Sequence, residues 1–333
     1  MRLKNSHAEV SVQPLAAMLH DYVFRLDGRA VRPLYDAPWR GDSGPDHDAL
    51  PRIIQGLGSE WPCVPFGRPG LDMALPADWV SGEAANWSDW AHGFCSNNDW
   101  RLERRGDDAL RAVIDYPDST PILRLEREVR LLADRPGLAL SLTVHARREA
   151  RFPLGLHPVL SMEGAAPGTL RLEMRETARV WSFPVDVEPG RNRYLPDLRD
   201  CPLDRVPTTD GGRVDVRSMP PEGQTEDLLM LTATGGRVGL ENPVQGCVTT
   251  VSWDEGQLPA CALWVSNGGR DYYPWNGRVA ALGIEPVASA FDLGIAHSLS
   301  DATPLARQGI ATHVTVHADR PFTVGYGITV DRL

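Results

Sequence analysis

From residue 122 onward, apolar and polar residues alternate with a two-residue period. Ile122–Leu131 carries the pattern, Asp134-Arg135-Pro136-Gly137 interrupts it, and residues 138–145 resume it. Successive side chains of a strand point to opposite faces, so this period predicts two half-buried strands joined as a hairpin by the Pro-Gly turn. Further strands are predicted at 169–174, 178–183, 228–233, 237–240, 248–253, 260–265, 279–284, 311–316 and 322–329, separated by Gly, Pro, Asn and Asp. No ten-residue helical pattern lies between them. With 28 prolines and 31 glycines, the chain therefore predicts an all-β fold, a large antiparallel β-sandwich, and argues against Rossmann or TIM architectures. No repeat of fixed period points to a propeller or solenoid. Short helical turns are expected at 76–80 and 86–90. Segments 184–192 and 202–212 read as long loops, where substrate contacts tend to lie on a rigid sandwich.

The 333 residues are 42% hydrophobic and 23% charged, enough for one large all-β domain or two smaller ones. The net charge of −10 arises from 44 acidic against 34 basic residues, with no basic stripe. A nucleic-acid backbone is therefore excluded as an expected partner. Lys4 is the sole lysine, and the arginines of 101–111 are scattered among acids as on a solvated, mixed-charge surface. The polar start Met1-Arg2-Leu3-Lys4 lacks the apolar run of a signal peptide and no stretch suits a membrane span, so a cytoplasmic protein is expected. Cys63, Cys95, Cys201, Cys247 and Cys261 show no Cys-x-x-Cys spacing, so neither disulfides nor a zinc knuckle are expected. His313 and His317 lie in strand-like alternation without a neighbouring ligand motif, and no metal is expected there.

Two apolar runs each hold one titratable group and then a proline. They are Leu154-Gly155-Leu156-His157-Pro158-Val159 and Leu282-Gly283-Ile284-Glu285-Pro286-Val287. An imidazole and a carboxylate so placed could form an acid/base pair, while a lone histidine in apolar sequence is more often an ordinary hydrogen-bonded core residue. Trp90-Ala91-His92-Gly93-Phe94-Cys95-Ser96-Asn97-Asn98-Asp99-Trp100 combines imidazole, amides and tryptophan in an irregular stretch. Such groups suit a sugar, which offers apolar ring faces and a rim of hydroxyls, though tryptophans can also simply pin a surface loop.

The order His92-Gly93-Phe94 with Trp100, then Gly155-Leu156-His157-Pro158, then Gly283-Ile284-Glu285-Pro286 resembles the aldose 1-epimerase (galactose mutarotase-like) superfamily. Val64-Pro65-Phe66-Gly67-Arg68 is similar to that family's Pro-x-x-Asn-Arg turn, and the resemblance spans about residues 25–330. It implies one supersandwich domain over residues 1–333, an isomerase needing no cofactor or metal, and a free or modified monosaccharide as substrate. A monomer or homodimer is expected. His157 would be the general acid at the ring oxygen and Glu285 the general base at the anomeric hydroxyl. Arg68 and His92 would bind substrate, as would Asp227 from Glu226-Asp227-Leu228. Trp264 would form a pocket wall or else fill the core. Ser96 stands where many relatives carry arginine, and Arg270 or Arg278 could replace that charge. A non-catalytic sugar-binding protein, or a sandwich lyase or hydrolase using Tyr272 or Tyr273, are the alternative functions.

Overall fold

The computed structural model describes residues 1–70, 73–80 and 87–333. Among these, two large antiparallel sheets of nine and eight strands dominate, with a four-stranded sheet built from residues 2–31. The expected hairpin is present as Ile122–Leu131 paired with Gly137–Ala146 in the nine-stranded sheet. All the other predicted strands form, the one near 311 shortened to Val314–Val316 and the one near 279 extended to Ala280–Ala288. No helix among the described residues is long and apolar enough to cross a membrane.

The charged segment 101–111 is the solvated surface expected, its arginines exposed or half-buried. It also carries strands that were not predicted, Arg101–Arg104 and the start of Ala109–Asp115, the outermost largely exposed. A charged, solvated edge strand hides its period because few of its residues are buried, and charge there also discourages edge-to-edge pairing. Residues 77–79 do make a turn, but 87–90 form no helix, and residue 86 lies outside the described residues. Segment 202–212 contains a short helical turn, Leu203–Arg205, and two-residue strands, whereas 184–192 is a loop as expected.

Alternation in the eight-stranded sheet decides what each of its faces buries. Leu229, Leu231, Leu263, Val265, Leu282 and Ile284 pack into the sandwich core with Leu125, Val129 and Leu142 of the opposing sheet. The intervening residues Leu228, Met230, Ala262, Ala281 and Val287 face outward, into a second cluster roofed by Trp39, Trp61, Trp79, Trp275 and Phe291. By the same alternation Glu226, Trp264 and Glu285 belong to that second face, and Asp227 to the other.

Candidate active site

The pairing register brings the two apolar runs face to face. Leu154 and Gly155 pair with Ala288 and Val287, and Val159 and Leu160 pair with Gly283 and Leu282. The register is the same on both sides of the interruption, so residues 156–158 lie opposite 284–286 and His157 lies directly across from Glu285. Pro158 and Pro286 have no N–H to give, which opens the ladder at this point. The His157 N–H donates instead to the Trp61 carbonyl and the Ile284 N–H to the Pro158 carbonyl, both at 2.9 Å. Directly opposed residues share a face. The His157 Nε2 accordingly stands 3.3 Å from Glu285 Oε1, with both side chains almost wholly buried.

Aromatic rings fix the imidazole. Trp61 stacks on it at 3.9 Å and 18°, and His92 meets it edge-on at 5.5 Å. The Glu285 carboxylate folds back over its own strand, where a Cβ on Gly283 would come within 2.2 Å of Oε1. Glycine at 283 is what leaves room for it.

Around this pair lies a cavity of about 400 Å³, lined also by Arg68, His92, Trp264, Arg270, Trp275 and Asp292. Three loops are clasped together along one side of it. The Arg68 N–H donates to the Asp292 carbonyl and the His92 N–H to the Gly67 carbonyl, each at 2.8 Å. Gly67 has a φ of 98°, and a Cβ there would lie 2.7 Å from the Gly294 nitrogen, an approach only glycine permits. Arg68 Nε donates to Asp292 Oδ2 at 2.6 Å. On another part of the lining Arg270 lies 4.6 Å from the Trp275 ring centre and pairs with Glu226 at 3.0 Å. Glu226 also accepts from Trp264 Nε1 and the Ser266 hydroxyl, and the Tyr272 hydroxyl donates to Glu188 at 3.1 Å.

Burial sets the electrostatics. It pushes Glu285 well above the usual carboxylate range, with Asp292 adding to the effect, and pushes His157 well below the usual imidazole range, with His92 adding. His92 is pushed down to about 4, again mainly by burial and against the pull of Asp292. Among the described residues, His92 Nδ1, His157 Nδ1, Glu285 Oε1 and Asp292 Oδ1 are all buried without a hydrogen-bond partner. Buried polar atoms are ordinarily paired, and these four belong to residues that line one cavity.

The structure gathers Arg68, His92, His157, Trp264 and Glu285 around one cavity and leaves Asp227 out of it. Asp227 points to the opposite face, where it accepts backbone N–H groups of Arg193 and Tyr194 at 3.0–3.2 Å. Its neighbour Glu226 occupies the side toward the cavity wall. Ser96 is buried behind His92, donating to the His92 carbonyl at 2.7 Å and the Pro62 carbonyl at 3.1 Å. Arg270 reaches the cavity, whereas Arg278 lies 3.9 Å from Asp42 and does not line it. Trp61 and Asp292 escaped the sequence reading. Trp61 sits beside the short strand Pro62–Cys63 and Asp292 in a loop, and neither belongs to a patterned run.

The class of protein these features define is an all-β supersandwich with a buried His–Glu pair at the base of an aromatic cavity. No protein-family model and no curated protein matches the chain. Among solved structures, a candidate aldose 1-epimerase from Escherichia coli K12 superposes with a TM-score of 0.65 at 15% identity, covering 100% of this chain and 98% of that one. A galactose mutarotase-like protein from Lactobacillus casei gives 0.62 at 14% identity, with 99% of each chain covered. An aldose epimerase homologue from C. elegans gives 0.60 at 13%, covering 100% and 98%. The chain thus has the galactose mutarotase-like fold over its whole length.

Proposed function

We propose that the protein is an aldose mutarotase, interconverting the α and β anomers of an uncharged sugar. The observation that carries this reading is the His157–Glu285 pair, 3.3 Å apart and buried at the base of the cavity. Ring opening needs a proton delivered to the ring oxygen as another leaves the C1 hydroxyl. His157, protonated, donates to the ring oxygen and the C1–O5 bond breaks. The O–H electrons of the C1 hydroxyl become the second bond of the aldehyde, and Glu285 takes that proton. Rotation about C1–C2 and reversal of both transfers give the other anomer and restore the pair.

Desolvation suits both partners to these roles. Burial makes the neutral pair, with the shared proton on Glu285, the populated form. The imidazolium–carboxylate form is the less populated and more reactive one, a stronger acid beside a stronger base, and ring opening discharges it into two neutral groups that a dry site favours. The pair must hold one proton in total, so the rate is expected to be bell-shaped in pH, with both limbs belonging to the pair and not to either residue. His92, neutral at physiological pH, can bind a hydroxyl without competing for the transferred proton. Trp264, which lines the cavity and is only partly buried, supplies flat apolar surface for a ring face.

Both arginines that reach the cavity are already ion-paired, Arg68 with Asp292 and Arg270 with Glu226. The charge of each is thereby already balanced by a carboxylate, which favours an uncharged aldose over a sugar phosphate even though the Arg68 terminal nitrogens remain as hydrogen-bond donors. The test is anomer exchange of freshly dissolved sugars followed by polarimetry or NMR across neutral and phosphorylated aldoses. We expect turnover of a neutral aldose, reduced at least about 100-fold in His157→Ala and in Glu285→Ala. Binding without exchange would make the protein a sugar-binding module instead, and exchange unaffected by either substitution would remove the assigned pair.

A further inference from the structure

We propose that Asp292 and Arg68 act as one unit that reads two adjacent hydroxyls of the sugar, Asp292 Oδ1 accepting from one and the Arg68 guanidinium donating to the other. The proposal rests on the reading of the cavity as a sugar site and names Asp292 as a specificity-determining residue within it.

The two oxygens of Asp292 are in different situations. Oδ2 takes the Arg68 Nε hydrogen at 2.6 Å, while Oδ1 is buried without a hydrogen-bond partner among the described residues, in a side chain that lines the cavity. If the carboxylate served only to hold Arg68, nothing would call for a second oxygen left bare beside the cavity. Arg68 is divided in the same way. Its backbone N–H and its Nε are both spent on Asp292, and its terminal nitrogens make no hydrogen bond to a described residue. The Arg68 side chain is 37% exposed and the Asp292 side chain 12%. The unit therefore offers the cavity one acceptor and a fork of donors side by side.

That pairing has a definite complement. An ionised carboxylate can only accept and a guanidinium can only donate, so the guest must donate at one point and accept at the next. A hydroxyl does either, and two hydroxyls on neighbouring carbons do both at the spacing of a paired carboxylate and guanidinium. A single hydroxyl satisfies half of the unit. The close approach of Gly67 to Asp292 and Gly294 holds the two loops in place before a ligand arrives, so little ordering is left to offset binding.

The experiment measures sugar affinity and anomer exchange separately. Affinity is read by quenching of the cavity tryptophans and exchange by NMR. The ligands are the preferred aldose and its monodeoxy derivatives, tested on wild type, Asp292→Asn and Arg68→Gln. In wild type, two adjacent deoxy positions should each weaken binding at least about 10-fold, because each leaves a site group unpaired. Asp292→Asn should weaken the parent aldose by a similar factor and lose discrimination at one of those positions, and Arg68→Gln at the other. KM should rise more than kcat falls. Undiminished deoxy discrimination in both variants, or unaltered affinity of Asp292→Asn for the parent sugar, overturns the proposal. If Asp292→Asn fails to fold, discrimination by Arg68→Gln decides it. Binding with the expected discrimination but no exchange would sink the mutarotase reading alone, and binding of no sugar at all would sink both.

Discussion

Glu226 and Asp227 are adjacent acids in one strand, yet one braces the cavity wall and the other ties down a loop. Asp227 is almost fully buried, and its pKa is pushed up to about 7 by desolvation against the pull of the Tyr194 and Arg193 N–H groups. Its ordinary value is 3.8, so as pH rises from about 4 the unfolded chain ionises first and the folded state loses stability until pH passes about 7. A shift of that size corresponds to on the order of 4 kcal/mol. Asp227→Asn should flatten this slope, so that its stability relative to wild type is greater at pH 8 than at pH 4 in urea titrations. Equal slopes for the two proteins would show that Asp227 ionises normally. The same residue illustrates what could be read from sequence. His157 and Glu285 were legible because each is the single titratable group of an apolar run. At 226–227 two acids compete, and only the strand's phase, set by pairing with a neighbour, says which one turns toward the site.

At the scale of elements, the strands themselves announce the site. The sequence showed two runs of the same form. What it could not show is that they are antiparallel neighbours in a register that seats residue 157 opposite residue 285, since register depends on partners more than a hundred residues away. The strands of residues 2–31 went unread for a different reason: the longest, Leu19–Leu26, has its alternation broken at Asp21, whose φ is 47°, and Ala8–Val12 is bulged against it, while the outer two have three residues each. Gly283 shows how tightly the elements define the chemistry. Gly283→Ala would place a methyl 2.2 Å from Glu285 Oε1 and 3.1 Å from the Trp264 Cβ. The carboxylate must then swing away, and since a displacement of about 1 Å can cost 100-fold, we expect kcat to fall by about that factor while the protein still folds. Steady-state kinetics beside a thermal melt would check this, and full activity in Gly283→Ala would mean that the carboxylate works from another rotamer.

Across the whole molecule, one buried polar cluster ties the Trp61 side of the cavity to the far sheet. Arg127, wholly buried on Ile122–Leu131, pairs with Glu60 and donates to the Ala17 carbonyl at 3.0 Å, while the Tyr326 hydroxyl donates to Glu60 at 2.6 Å. Glu60 precedes Trp61, the ring on which His157 rests. Removing one partner of a buried pair strands the other charge, so Glu60→Gln or Arg127→Met should cost about 3–5 kcal/mol of stability by urea unfolding. A change below about 1 kcal/mol would mean that the charges reach water. The unbroken register around His157 and Glu285 also governs how such a chain can change length. Inserting or deleting one residue within either run would turn its side chains to the opposite face and pull the imidazole and the carboxylate apart. Loop 184–192, which sends Val187 and Glu188 to the cavity rim, is under no such constraint. New ligand preferences can therefore be grafted by lengthening or trimming that loop, while the segments 154–161 and 280–288 admit substitutions but no change in their count of residues.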